Sequence, residues 1–503
     1  MIETLTTRRS RRSAARRAGA ALLAALLLLG DPLRGQHYQT DFPPEEFRAR
    51  WMKLFERIGA DAVAVLQGMP QTDGFIYPRQ YNNFYYLSGI ETPGAYLRLD
   101  GRTRRVTLYL PPRDERLERA EGRVLSADDA ALVQQLTGVD EVRPVSAMAE
   151  ADWPVGPAAP GQARARAVIY AEFMPPEGAQ QSRGELVAAE AARARDYWDG
   201  ATLRHRRFVE LLRSRHPRAE IRDLIPILDE LRAIKSPREI ALIRRASQLA
   251  GLGLMEAMRS TEPGVYEYQL DAAARYVFLV HGARLEAYRS ITASGTENIA
   301  NMHYFRNTAQ LRDGDLVLMD YAPDYRYYVS DVGRVWPVNG RFTAWQRELL
   351  GFVLAYHKAT LARIRPGVTP AQVMAEVRAA MEPILARTRF TKPAYEQAAR
   401  RLVETGGGVF SHTVGMAVHD VGSYRDGLRP GHVFSVDPQL RVPEENLYLR
   451  YEDTVVVTDT GVENFTSFLP MELEDIERVV QEKGIVQLAP ALTEAQFTRL
   501  GTR

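Results

Sequence analysis

The chain of 503 residues has no cysteine. Disulfides and thiolate metal sites are therefore excluded, and an oxidising compartment would find no stray thiol to mispair. A charge excess of one sign is also missing: 65 Lys and Arg stand against 63 Asp and Glu, a formal net charge of +2. Six arginines in the first seventeen residues carry much of the basic excess, and the remainder is slightly acidic. That leaves no electrostatic footprint for nucleic acid. Histidine is scarce, with nine in all. Long apolar runs are absent after residue 30. The run before it, Ala18 to Leu29, is too short to span a bilayer, which takes about 20 residues.

The length exceeds one ordinary core and predicts two domains or three. Arg8, Arg9, Arg11, Arg12, Arg16 and Arg17 precede the apolar run, and Gly30-Asp31-Pro32 breaks it. A basic stretch followed by about 7–15 apolar residues is the layout of a secretory signal. Residues 1–36 are thus expected to direct export, to the periplasm or beyond. Thr7-Arg8-Arg9-Ser10 hints at a twin-arginine route. A transit peptide should be amphipathic, whereas this run is apolar all round.

Beyond it, Phe47, Trp51, Leu54 and Ile58 follow helical spacing between Pro43 and Gly59. β-type runs come next, at Ala62–Leu66, Phe75–Tyr77, Phe84–Ser88, Tyr96–Leu99 and Val106–Leu110, parted by turn signals such as Asp100-Gly101. Residues 115–150 read as helical, and 153–183 as loops around a strand at Ala167–Tyr170. The boundaries expected are a mixed α/β domain over 37–185, a helical linker over 186–229, a second domain over 230–485 and a tail over 486–503. Ser236-Pro237 with Glu239 is a helix start, with a capping hydroxyl and Pro at the first helical position. In the second domain the pattern predicts helices near 238–258, 266–281, 343–364 and 370–386. It predicts strands near 289–293, 315–321, 326–338, 432–442 and 447–458.

The second domain holds an unusual set of acids and histidines. Asp320 ends the apolar run Leu316–Met319. Asp331 follows eleven residues later within an aromatic strand, so a hairpin could bring the two together at its open end. Alone, an Asp at a strand end is usually a turn cap. His412 and His419 lie within eight residues beside Gly406-Gly407-Gly408, where glycines ease close backbone approach. Asp437 ends the apolar run Val433–Val436. Glu452 sits between Arg450 and Thr454, and in a strand these three share a face. An Arg and a Glu two apart could be a surface ion pair, but Val455–Val457 continues as a buried-type strand, and a buried Glu needs a partner. Together these residues supply four carboxylates and one imidazole, a donor set suited to hard or borderline ions such as Mn²⁺ or Zn²⁺. Two such ions about 3.5–4 Å apart can hold a bridging water and make hydroxide at neutral pH, which is the chemistry of amide hydrolysis.

On these residues the second domain resembles the pita-bread metallopeptidases, the fold shared by methionine aminopeptidase, prolidase, aminopeptidase P and creatinase. Tyr77-Pro78-Arg79-Gln80-Tyr81-Asn82-Asn83-Phe84-Tyr85-Tyr86-Leu87-Ser88-Gly89 and Leu110-Pro111-Pro112-Arg113-Asp114 resemble the creatinase/aminopeptidase P N-terminal domain. The fold class implied is α/β (α+β), an N-terminal domain of that type followed by a pita-bread catalytic domain. By resemblance Asp320, Asp331, His412, Asp437 and Glu452 are the metal ligands, with Asp331 and Glu452 bridging. His303, His419 and Arg450 match substrate-side positions. The cofactor implied is a pair of divalent ions, manganese first, with zinc or cobalt as alternatives. The activity implied is release of the residue before proline from peptides with Pro second. Such relatives are often dimers or tetramers. The alternatives are a prolidase-type X-Pro dipeptidase, a metal-free creatinase-like amidinohydrolase and a pseudo-enzyme that binds peptides or proteins. Two departures stand out. Asp437 occupies a Glu position and is followed by Pro438-Gln439 rather than Pro-Gly, and Gly408 stands where the family often has His.

Overall fold

The computed structural model describes residues 38–71, 76–151, 153, 167–178, 180–200 and 202–500. The expected signal lies outside them, and so does most of the Pro/Gly-rich stretch between 153 and 166.

Helix α1, Pro44–Ile58, opens with Pro in its first turn and Glu45 and Glu46 at its positive end. It buries Phe47, Trp51, Leu54 and Ile58, the face that the spacing predicts. Six strands follow: β1 Ala62–Gln67, β2 Tyr96–Asp100, β3 Arg105–Leu110, β4 Glu141–Pro144, β5 Val168–Ala171 and β6 Glu220–Asp223. They form one mixed sheet in the order β4-β3-β2-β1-β5-β6.

Four expectations change in this part of the chain. Phe84–Ser88 is not a strand but part of helix α2, Asn82–Ser88, closed by Gly89 in the left-handed region. All seven residues of α2 are buried, and a short run that is apolar on every side has no period to separate helix from strand. Ile76 and Tyr77 are irregular, and Phe75 lies outside the described residues. Residues 115–150 are not helical throughout: helices at Glu115–Glu121 and Ala130–Thr137 precede β4. The stretch expected as a helical linker holds the end of α3, Arg183–Arg193, and all of α4, Arg204–Arg215, but also β6. Strand β6 pairs in parallel with β5, so the first sheet draws its last strand from beyond residue 186.

In the second half, α5 (Pro237–Arg259) begins with a capping box: Ser236 N donates to Glu239 Oε2 at 2.9 Å, and Glu239 N to Ser236 Oγ at 3.3 Å. Helix α6 (Glu267–Val280) packs along it. Strands β7 (Ile291–Ser294), β8 (Leu316–Asp320) and β9 (Gly333–Pro337) form an antiparallel sheet with β8 central. Helices α7 (Ala344–Leu361), α8 (Pro370–Arg387) and α9 (Pro393–Thr405) come next. Strands β10 (Val433–Val436), β13 (Asp453–Val457) and β14 (Val462–Asn464) make another sheet, and β11 (Gln439–Val442) pairs with β12 (Leu447–Arg450).

The long strands expected at 432–442 and 447–458 are each broken at an acid. Pro438, which has no N–H to give a ladder, separates β10 from β11. At Glu452 the chain leaves β12, exchanges backbone bonds with Gly333 of 3.0 and 3.2 Å, and enters β13. The third, expected at 326–338, begins only at Gly333, so Asp331 lies in the approach to β9 and not inside a strand. The expected tail starts by docking just past the end of α5, where Gln487 Nε2 donates to Ser260 O at 2.9 Å. Among the described residues no helix is long and apolar enough to cross a membrane.

Candidate metal centre

The acids converge where the sheets meet. Strands β8 and β9 pair with Gly333 opposite Asp320. Asp320 and Asp331 therefore meet at the end joined by the 321–332 connection, not at the hairpin's open end. The Tyr288 hydroxyl bridges them, 2.5 Å from Asp320 Oδ1 and 2.9 Å from Asp331 Oδ1. Asp331 is fixed from behind, since its N–H donates to Thr454 Oγ1 at 2.9 Å. Glu452 arrives from the crossing at Gly333. A Cβ on Gly333 would sit 3.2 Å from Glu452 Oε2, so glycine there leaves room for the carboxylate.

The two histidines are set by a small reversal of the chain. Thr413 pairs with Asp420 through backbone bonds, and Val414 N donates to Val433 O at 3.1 Å. The reversal sets His412 and His419 edge to face, with ring centroids 4.3 Å apart and planes inclined at 61°. His412 Nε2 then lies 3.4 Å from Asp331 Oδ2. Asp331, His412 and Glu452 each offer a donor atom within 4.8 Å of the others. Asp320 and Asp437 adjoin this trio through Arg450, which contacts Asp320 Oδ2 and reaches Asp437 Oδ2 at 3.3 Å and Glu452 Oε2 at 3.2 Å. His303 lies in the exposed loop before β8, where partial burial and then the Arg450 and His419 charges lower its pKa. All five expected ligands thus gather in one place, with Arg450 among them.

Charge is the dominant feature. Burial lifts the Asp320 carboxyl to about 6 against the pull of Arg450. Burial also pushes Asp331 well above the usual carboxylate range, with Glu452 and Asp320 adding to it. Asp437 rises to about 8 through burial and then Glu452. Only Glu452 moves down: burial opposes this, but Arg450 and the Ser435 hydroxyl, 2.7 Å from Oε1, outweigh it. His412 falls to about 4 through burial and the neighbouring His419, which leaves a neutral ring fit to ligate. One guanidinium cannot balance four buried carboxylates, so the cluster calls for further positive charge. Asp437 Oδ1 and Glu452 Oε2 are buried and accept no hydrogen bond. Buried carboxylate oxygens that accept no hydrogen bond, beside a neutral imidazole, fit divalent cations.

Sequence reasoning missed several contributors. Ser435 was within reach, because it shares a strand face with the position two residues on. Tyr288 carried no signal. Glu185 lies on α3, far along the chain, yet its Oε1 is 2.6 Å from His419 Nδ1. Burial tends to lower His419, but this carboxylate raises it. The first domain meets the second here as well. Arg79 Nε donates to Asp324 Oδ2 at 2.6 Å, and Asn82 Nδ2 to Met416 O at 3.1 Å.

Buried carboxylates and one neutral imidazole, carried at strand ends and in the loop before β10, define a divalent-metal hydrolase. Residues 241–459 match the model of metallopeptidase family M24, and residues 47–151 match that of the aminopeptidase P N-terminal domain. The Xaa-Pro aminopeptidase of Escherichia coli (strain K12) is 32% identical over 464 residues, 88% of this chain and 98% of that protein. The Xaa-Pro aminopeptidase of Haemophilus influenzae is 30% identical over 465 residues, 88% of this chain and 99% of that protein. Among solved structures, proline aminopeptidase P II from Yersinia pestis superposes with a TM-score of 0.69 at 31% identity, covering 87% of this chain and 99% of that one. The chain belongs to metallopeptidase family M24, with an aminopeptidase P N-terminal domain ahead of the catalytic one.

Proposed function

We propose that the chain is a metal-dependent aminopeptidase that releases the N-terminal residue from peptides with proline second. The observation that carries this is the gathering of Asp320, Asp331, His412, Asp437 and Glu452 around Arg450. Relatives named Xaa-Pro aminopeptidase, matched over nearly their whole length, support the choice of substrate. The five residues would hold two divalent ions. Manganese suits a set so rich in carboxylates, with zinc or cobalt as alternatives. When bound, such ions acidify water and polarise a carbonyl.

The chain's own groups do the rest. Glu185 at Nδ1 favours a protonated His419, whose Nε2–H can donate to charge growing on the scissile carbonyl oxygen. Asp437 is the group to carry a proton to the leaving proline nitrogen. Arg450 holds Asp320, Asp437 and Glu452 in place. His303, in the exposed loop before β8, would guide the peptide. Export rests on the basic and apolar N-terminus, and finding the protein in a periplasmic or culture fraction would support it. A dimer or tetramer is the assembly expected, and light scattering would test it.

The activity test uses an Xaa-Pro-Yaa tripeptide beside an Xaa-Pro dipeptide and an Xaa-Ala-Yaa control, with and without added Mn²⁺. Metal-dependent release of Xaa from the first substrate is expected. Release from the dipeptide alone would make the protein a dipeptidase. No release with any metal would overturn the proposal.

A further inference from the structure

Gln439 opens β11 one residue beyond Pro438, and its side chain turns back toward Asp437. Its Nε2 donates to Asp437 Oδ2, the same oxygen that Arg450 Nη1 approaches at 3.3 Å. Its Oε1 accepts from Arg441 Nη2 at 3.2 Å. That pairing fixes which way the amide points. Reversed, it would set oxygen against the carboxylate and NH₂ against the guanidinium. Gln439 N also donates to Gly407 O at 2.9 Å, which ties β11 to the glycine loop before His412. Both donors act on Oδ2. Oδ1 is buried, accepts no hydrogen bond, and keeps its lone pairs for another partner.

Gly408 belongs to the same arrangement. Its φ is +106°, and a Cβ there would fall 2.7 Å from Gln439 Nε2, 2.9 Å from Gln439 Cδ and 3.2 Å from Asp437 O. Contacts under 3.0 Å require something to move, so the present place of the Gln439 amide excludes a side chain at 408. An Asp is also one methylene shorter than a Glu, and a ligand of limited reach depends more on whatever aims it.

We infer that Gln439 is a positioning residue for Asp437: its amide holds Oδ2 so that Oδ1 faces the metal centre, and Gly408 keeps the space that the amide fills. The three positions form one unit that lets a short carboxylate serve where a longer one would reach unaided. The inference rests on the metal-site reading above. Outer partners of a ligating carboxylate typically change metal affinity or activity by about 10–100-fold when lost.

The test titrates Mn²⁺ alone into the metal-stripped full chain by calorimetry. Gln439→Met keeps the volume and loses the amide, so the fold is retained, as circular dichroism would verify. It should weaken Mn²⁺ binding by about 10–100-fold and lower kcat with KM nearly unchanged. In an Asp437→Glu background the same substitution should cost less than about threefold, since the longer side chain needs no aiming. Unchanged affinity in Gln439→Met overturns the inference. So does an equal loss in both backgrounds, which would mean a general local effect. Failure of the unaltered chain to bind Mn²⁺, Zn²⁺ or Co²⁺ would sink the metal-site reading and this inference with it.

Discussion

Asp331 shares a buried space with Glu452 and Asp320, and all three lean on one guanidinium. Like charges held together out of water destabilise the metal-free fold and favour whatever cation relieves them. Asp331→Asn should therefore separate stability from function. The amide can donate to Glu452 and carries no charge. The metal-stripped variant should melt higher than the unaltered protein, by about 2–4 °C per kcal/mol relieved, while metal affinity falls by about 100-fold or more. Differential scanning calorimetry and metal titration would read the two effects.

Glu172 offers a separate residue-scale case in the first domain. Burial raises its carboxyl to about 7, although Asn83 Nδ2 donates to Oε1 at 2.7 Å. The native state therefore keeps a proton that the unfolded chain has lost between about pH 4.5 and 7, and stability falls as pH rises through that window. Glu172→Gln removes the titration and can still accept from Asn83. Its melting temperature should match the unaltered protein near pH 5 and exceed it at pH 8. Equal melting temperatures at both values would contradict this.

At the scale of elements, the site exists because strands end or cross where the acids stand. The register that sets Gly333 opposite Asp320 also sets Gly333 against Glu452. Gly333 is needed for the space it leaves rather than for its backbone freedom. Gly333→Ala would bring a methyl to 3.2 Å from Glu452 Oε2 and 3.4 Å from Arg450 Nε. The variant should fold, because its backbone is an ordinary strand. Metal affinity should drop by about tenfold or more, since a displacement of ~1 Å at such a group can cost on the order of 10²-fold in rate. Titration of the metal-stripped variant would check it.

Across the whole molecule, the two domains are joined by buried charge. Arg232 is almost fully enclosed and donates to Asn83 Oδ1 at 2.6 Å, Glu177 Oε2 at 2.7 Å and Asp420 Oδ1 at 2.5 Å. Asp420 closes the reversal that sets His412 against His419, and Lys235 lies 3.2 Å from its Oδ2. The first domain thus braces the loop that carries both histidines. Removing one partner of a buried pair costs about 3–5 kcal/mol because the other charges stay behind. Arg232→Ala should show that loss in denaturant unfolding, together with a weaker site although Arg232 touches no expected ligand. An unfolding midpoint within error of the unaltered protein would contradict the bracing role.

The sequence by itself determined the parts with strong local signals. Helix α1 and the capped start of α5 could be read from spacing and from Ser236-Pro237, because helix periodicity and capping are properties of a few neighbouring residues. The residues that gather at the site were also legible, since acids closing apolar runs and two histidines in a glycine loop are rare in so histidine-poor a chain. Only the tertiary structure decided what depends on long-range contact. Helix α2 could not be told from a strand because burial on every side erases its period. Strand β6 could not be assigned because its four residues gain their meaning from β5, about fifty positions earlier. Tyr288 beneath two aspartates, Glu185 beside His419 and Gln439 aimed at Asp437 were equally hidden. Each acts through a contact that exists only once the chain has closed on itself.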